Sequence, residues 1–170
     1  MADNSLNPAI GATFDVASKL DKLNSKFSTV DITQLVKFEN KIRELGNFNI
    51  MLAPQYMRDF IDAQDVCGVM LATAILVNEK SKALLEEAES IAYLDHATDY
   101  LNAKGIKDTA DARKRYIDID ADVIRAKDIH AKSMALVSLL NNKLWNFKQA
   151  HDDVKKMSYS DQKMTPYDGM

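Results

Sequence analysis

The sequence predicts an all-α, oligomeric protein built on a long antiparallel helical hairpin, with one or two short helices on its N-terminal side. Three observations predict it. Gly and Pro are scarce, 5 and 3 in 170 residues, whereas an all-β domain needs many turns. Residues 111–157 contain neither, and they carry two interleaved heptad series. One is Tyr116, Val123, His130, Val137, Leu144 and His151; the other is Ile119, Ala126, Ser133, Leu140, Phe147 and Val154. Such series mark a helix that packs along another helix for most of its length. At about 1.5 Å per residue this run predicts one uninterrupted helix about 70 Å long. Third, a short link at residues 105–109 joins it to a preceding helical run of similar length, which forces the two runs antiparallel and adjacent.

Residues 1–12 are small and polar and predict a flexible arm. Residues 13–52 predict a small helical region. Phe14, Val16, Leu20, Leu23 and Phe27 have helical spacing, placing a short helix over 15–26. In the next helix Asp31 is the cap, Leu35, Phe38, Ile42 and Leu45 form the apolar face, and Gly46 is the stop. Residues 47–52 predict a loop or a brief extended piece.

The hairpin occupies residues 53–157. Pro54 stands where a first-turn proline belongs, opening a helix that runs to Lys104. Met70, Val77, Leu84 and Ile91 fall seven apart, with Ala74, Ala88, Leu94 and Leu101 beside them. Gly68 costs a helix interior about 1 kcal/mol relative to Ala, which predicts a break or a close helix contact. Gly105 ends the first arm; Asp108 or Thr109 caps the second, with Asp111 and Asp118 at the favourable end of its dipole. Residues 158–170 are polar, contain Pro166 and Gly169, and predict a loose tail.

The net charge of −3 is unevenly spread. Residues 1–103 carry 9 Lys and Arg against 15 Asp and Glu, whereas residues 104–156 carry 12 against 8. Such asymmetry marks either a nucleic-acid face or one half of a molecule attracting the other. The single cysteine, Cys67, permits no internal disulfide and fits a reducing compartment. Residues 1–11 lack a basic-then-apolar leader, and the longest apolar patch, residues 69–77, is too short to span a bilayer. The expected location is therefore the cytoplasm, with no membrane partner.

Site chemistry is sparse. Glu86, Glu87, Glu89, His96 and His130 do not fall at metal-ligand spacings, so no metal and no cofactor is expected. Cys67 beside Gly68 in an apolar helix reads as a small buried hydrophobe, and the isolated glycines form no phosphate loop. No catalytic residue is expected, and the chain reads as a non-enzyme. His130 and Ser133 take core-type heptad positions, either as a polar layer fixing register or where the seam drifts outward. Val137, Leu140, Leu144 and Phe147 are the expected oligomerisation surface.

The basic turn is the candidate binding surface. Lys104, Lys107, Arg113, Lys114 and Arg115 cluster within twelve residues, flanked by Tyr100 and Tyr116. Cations track a phosphate backbone and tyrosines stack bases, the combination that holds single-stranded nucleic acid. The alternative is a phage-type structural or assembly protein whose hairpin serves self-association without nucleic acid.

The order of residues resembles a known family. Tyr100-Leu101-Asn102-Ala103-Lys104-Gly105, a short Asp-containing link, Arg115-Tyr116, and a long Asp/Lys-rich helix turning apolar near Met134 to Leu140 are similar to UvsY-like phage recombination mediators. Val69-Met70-Leu71 and the Lys/Glu-rich helix after it are similar too. The resemblance covers residues 65–157. It implies a small helical protein without catalytic residues that forms a ring-like homo-oligomer. Such a protein binds single-stranded DNA, helps displace a single-strand-binding protein and loads a recombinase, in the host cytoplasm if phage-encoded. Where the family has a basic pair upstream of the turn, this chain has Asp95 and Ala97. DNA contact then falls to Lys104, Lys107 and Arg113 to Arg115.

Overall fold

A computed structural model describes residues 8–27 and 31–164, with side chains over 16–25 and 31–160. The described residues are all-α and contain no strand. In chain order the helices are α1 (Pro8–Phe27), α2 (Thr33–Glu44), α3 (Ala53–Ile91), α4 (Ala97–Ala103), α5 (Ala110–Ile117) and α6 (Ala121–Met164). Two 3₁₀ turns, Leu45–Asn47 and Ile50–Leu52, precede α3, and a π-turn, Ala92–His96, joins α3 to α4.

The chain divides into two compact units. The first comprises Met1–Thr29 and Ala74–Ala135, the second Val30–Thr73 and Leu136–Met170.

In the first unit the apolar face of α1 is buried. Val16, Leu20 and Leu23 join Val77, Ala88, Ala92, Val123, Ala126 and Ile129 in one cluster. Each large aliphatic side chain sealed there contributes about 1.5–3 kcal/mol. Ion pairs of Lys19 with Glu87 and of Arg125 with Asp21 tie α1 to its neighbours at the rim. A polar layer interrupts the apolar seam. Ser81 Oγ lies 3.0 Å from His130 Nδ1 and 2.8 Å from Ser133 Oγ, and Ser133 donates to Asn78 Oδ1 and to the His130 carbonyl. Ser81 and Ser133 are fully buried, whereas His130 is half-buried.

In the second unit Leu35, Phe38, Phe60, Leu140, Phe147 and Val154 are buried. The rings of Phe38 and Phe147 meet edge to face at 6.1 Å. Lys143 pairs with Glu39, and Lys41 with Asp59. Cys67 is buried and its thiol donates to the Leu140 carbonyl at 3.3 Å; burial pushes its pKa up, as for an inert core thiol.

Several sequence expectations need correction. The run from 111 is two helices, because residues 118–120 break it. The Tyr116 carbonyl accepts from the amides of both Ile119 and Asp120, closing α5. The Asp120 carboxylate then accepts from the amides of Asp122 and Val123, capping α6. Ile119 therefore leaves the seam and is exposed, whereas Ala126, Ser133, Leu140, Phe147 and Val154 of its series are all fully buried. Asp118 follows the end of α5 and pairs with Lys127 instead of sitting at a helix start. Helix α6 continues past Met157 to Met164, well into the segment read as a tail; residues 165–170 lie outside the described residues. The N-terminal helix likewise begins earlier than expected, at Pro8, while residues 1–7 lie outside the described residues. Of residues 47–52, Phe48 and Asn49 are the brief extended piece, and 3₁₀ turns stand on either side of them.

Gly68 marks neither a break nor a close contact. Helix α3 passes through it, and a Cβ added there would meet nothing within 4 Å. The helical run from Ala53 is instead interrupted at Ala92–His96, where the ladder widens to a π-turn. Finally, the segment Ile50–Ala103 contains an 18-residue window of mean hydropathy 1.7, of which 28% is buried. By length and composition alone it is long and apolar enough to cross a membrane, although its contiguous apolar patch is short.

Candidate nucleic-acid interface

The basic turn is shaped by its helix ends. Helix α4 stops because Gly105 adopts φ +66°, which a Cβ disfavours. Ile106 donates back to the Leu101 carbonyl and Gly105 to that of Asn102, satisfying the last carbonyls of the helix. Thr109 then caps α5, its hydroxyl accepting from the Ala112 amide. Thr109, rather than Asp108, is thus the cap.

This turn brings Tyr100 and Tyr116 together with ring centroids 4.9 Å apart. Tyr116 is half-buried against the core of the first unit, and its hydroxyl donates to Asp120 Oδ2 at 3.0 Å. Burial and the neighbouring carboxylate push its pKa up to about 12. His96 Nδ1, on the π-turn, also lies 3.0 Å from Asp120 Oδ2. Burial alone would raise the Asp120 carboxyl, but hydrogen bonds from His96, the Val123 amide and Tyr116 outweigh it and hold the pKa below the ordinary range.

Beside the tyrosines an open groove of about 590 Å³ is lined by Ile106, Lys107, Arg115 and Ile119 as well as both rings. Its surface is mostly apolar, with one carboxylate, Asp111, among the lining groups. Lys104, Lys107, Lys114 and Arg115 are exposed, and among the described residues none of them forms an ion pair.

Arg113 stands apart from the other cations. It grips Asp108 with Nε and Nη2, each at 2.7 Å, donates to the Tyr93 carbonyl and the Thr98 hydroxyl, and lies 5.6 Å from the Tyr93 ring. Its guanidinium is consumed in fastening the turn to the preceding helices. Tyr116 is also committed, by its hydroxyl and by its packing. The groove therefore gathers Lys107, Arg115 and Tyr116, places Lys104 and Lys114 nearby in sequence, and leaves Arg113 as a fastener.

The expected oligomerisation residues are likewise divided. Leu140 and Phe147 are fully buried in their own chain, and Val137 and Leu144 are half-buried. The exposed large hydrophobic side chains among the described residues of α6 are Ile124, Met134, Leu139, Trp145 and Tyr159.

Sequence reasoning passed over Asp120 and His96 as a pair. The cue for Asp120 was available: Asp118, Asp120 and Asp122 alternate in a run otherwise free of helix breakers, and Asp is a preferred cap. Nothing comparable signalled that His96 would turn toward it. Among the described residues no group of three or more His, Cys, Asp and Glu gathers as a metal site. Comparison with family models, curated proteins and solved structures finds no match.

Proposed function

We propose that this chain is a non-enzymatic, homo-oligomeric single-stranded-DNA-binding protein of the recombination-mediator type, acting in the cytoplasm. Its part is to help a recombinase replace a single-strand-binding protein. One observation carries the reading: unpaired cations at Lys107 and Arg115 rim an open groove floored by a tyrosine pair and aliphatic side chains. Bases stack or pack against such a floor while cations hold the flanking phosphates. The chain as a helical hairpin belongs to the same proposal. It is supported within the first unit by partner numbers that fall as residue numbers rise: Ser81 meets Ser133, and His96 meets Asp120.

A labelled single-stranded oligonucleotide tests the binding. Three or four phosphate contacts give a log–log salt slope of about −2 to −3. Lys107→Glu with Arg115→Glu should abolish binding at moderate salt without changing oligomer mass. Arg113→Gln should lower stability and leave the slope unchanged. Absence of binding at low ionic strength would refute the DNA role. The second reading, an assembly protein without nucleic acid, is favoured by the exposed Trp145 and Val69, which are 61% and 70% accessible.

A further inference from the structure

The second unit leaves two helix faces exposed on which large apolar side chains alternate with charged or polar ones. On α3, Ile61, Asp65 and Val69 follow one another at four-residue steps, with Asp62 alongside; all four are exposed. On α6, Leu139, Asn142, Trp145 and Lys148 follow at three-residue steps and are exposed too. These are the two kinds of side-chain row that interlock when helices pack at a shallow angle. Trp145 is the chain's one tryptophan, and tryptophan is among the residue types enriched at the energetic centres of protein interfaces.

The faces differ in charge. Asp62 and Asp65 outnumber Arg58 on the first, and among the described residues neither aspartate has an ion-pair partner. Lys148 and Lys155 outnumber Asp152 on the second, and Asp152 has His151 beside it. A bilayer would have to desolvate Asp62 and Asp65 next to Val69, at a high cost. A second copy of this chain supplies lysines instead.

We infer that the Trp145 face of α6 in one copy docks on the Ile61, Asp65, Val69 face of α3 in the next. The contact is heterologous, with different patches meeting, so each copy keeps one face of each kind to offer. This inference rests on the homo-oligomer reading above and replaces Leu140 and Phe147 with outward-facing residues as its carriers.

Trp145 reports on its own docking. In the full-length protein its emission should shift to the blue as concentration rises, in step with the mass seen by light scattering. Trp145→Ala should raise the half-assembly concentration about 30-fold or more. Asp62→Lys with Asp65→Lys should stop assembly at low salt, as should Lys148→Asp with Lys155→Asp. A one-to-one mixture of those two variants should assemble again, because each then offers the other a complementary face. Far-ultraviolet circular dichroism checks that the variants stay folded. A rising mass with an unshifted Trp145, or a mixture that stays unassembled, overturns this interface and leaves oligomerisation standing. A monomer at every concentration overturns both, and the oligonucleotide titration decides the DNA role independently.

Discussion

Replacing Gly68 with Ala should stabilise the protein. Gly68 lies well inside α3, far from both ends of Ala53–Ile91, so the helix-propensity difference applies in full. That difference is about 1 kcal/mol, arising mainly from the greater freedom Gly has in the unfolded chain. No packing term opposes it, because the new methyl meets nothing within 4 Å. With a urea m-value of about 2 kcal/mol/M the midpoint rises by about 0.5 M, and the melting temperature by about 2–4 °C. Urea titration followed by circular dichroism and by Trp145 fluorescence, at a concentration where the protein is monomeric, measures both midpoint and slope. Gly105→Ala is the paired control. Its site is equally open, but its φ of +66° penalises a Cβ, so the change should destabilise by about 1–2 kcal/mol. A lowered midpoint for Gly68→Ala with an unchanged slope would refute the reasoning, because it would mean a neighbour presses on that position.

Other perturbations follow from the buried polar groups. Asp120→Ala removes the α6 cap and leaves Tyr116 and His96 without their shared acceptor, so it should cost about 2–3 kcal/mol in thermal or urea unfolding. The pKa of Asp120 is depressed in the folded state, so its stabilisation is present above its ordinary pKa of 3.8 and is lost as pH falls through the lower folded value. Acid titration of Asp120→Asn should accordingly be flatter than wild type below about pH 4. Tyr116 behaves in the opposite sense: its pKa is raised from 10.0 to about 12, so its contribution holds below pH 10 and is lost as pH climbs through 12. Ultraviolet titration should show Tyr116 ionising near pH 12 and that step lost in Tyr116→Phe, while Tyr56, whose pKa burial and Glu44 also raise, keeps its own delayed ionisation. His130→Leu leaves Ser81 with Ser133 and the Asn78 carbonyl as partners, so no buried hydroxyl is orphaned and the melting temperature should rise. A fall would show that the ring itself is needed in the seam.

Much of the helical content was legible because periodicity and punctuation agreed. The series from Ala126 to Val154 reads directly as the buried side of α6. Pro54 at the start of α3, Thr109 before α5 and Gly105 after α4 each stand where backbone chemistry requires that residue type. What stayed hidden depends on contacts between distant residues. Asp120 is a cap rather than one more helical aspartate because His96 and Tyr116 join two backbone amides around it. Arg113 is a fastener rather than a ligand-facing cation because Asp108, Tyr93 and Thr98 converge on it. Composition near the turn showed five cations, but not that one of them was already engaged. Leu140 and Phe147 show the same limit: a heptad identifies a packed face without saying whether the packing is within one chain or between two.

The π-turn at Ala92–His96 has an evolutionary consequence. Buried positions from α3 into α4 run Ala88, Ala92, Ala97 and Leu101, with steps of four, five and four. The five-residue step is one residue more than a regular turn allows, and it places Leu94 in solvent while Ala97 and Leu101 face inward. A single codon inserted into an ancestral straight helix would leave this mark. In a regular helix that extra residue would rotate everything after it by about 100°, whereas the wide turn absorbs it and keeps Ala97 and Leu101 on the buried side. Tyr100, which lines the groove, lies beyond that point. A homologue lacking one residue between Ala92 and His96 should therefore close the wide turn to a regular one and keep Ala97, Leu101 and the groove beyond them in place.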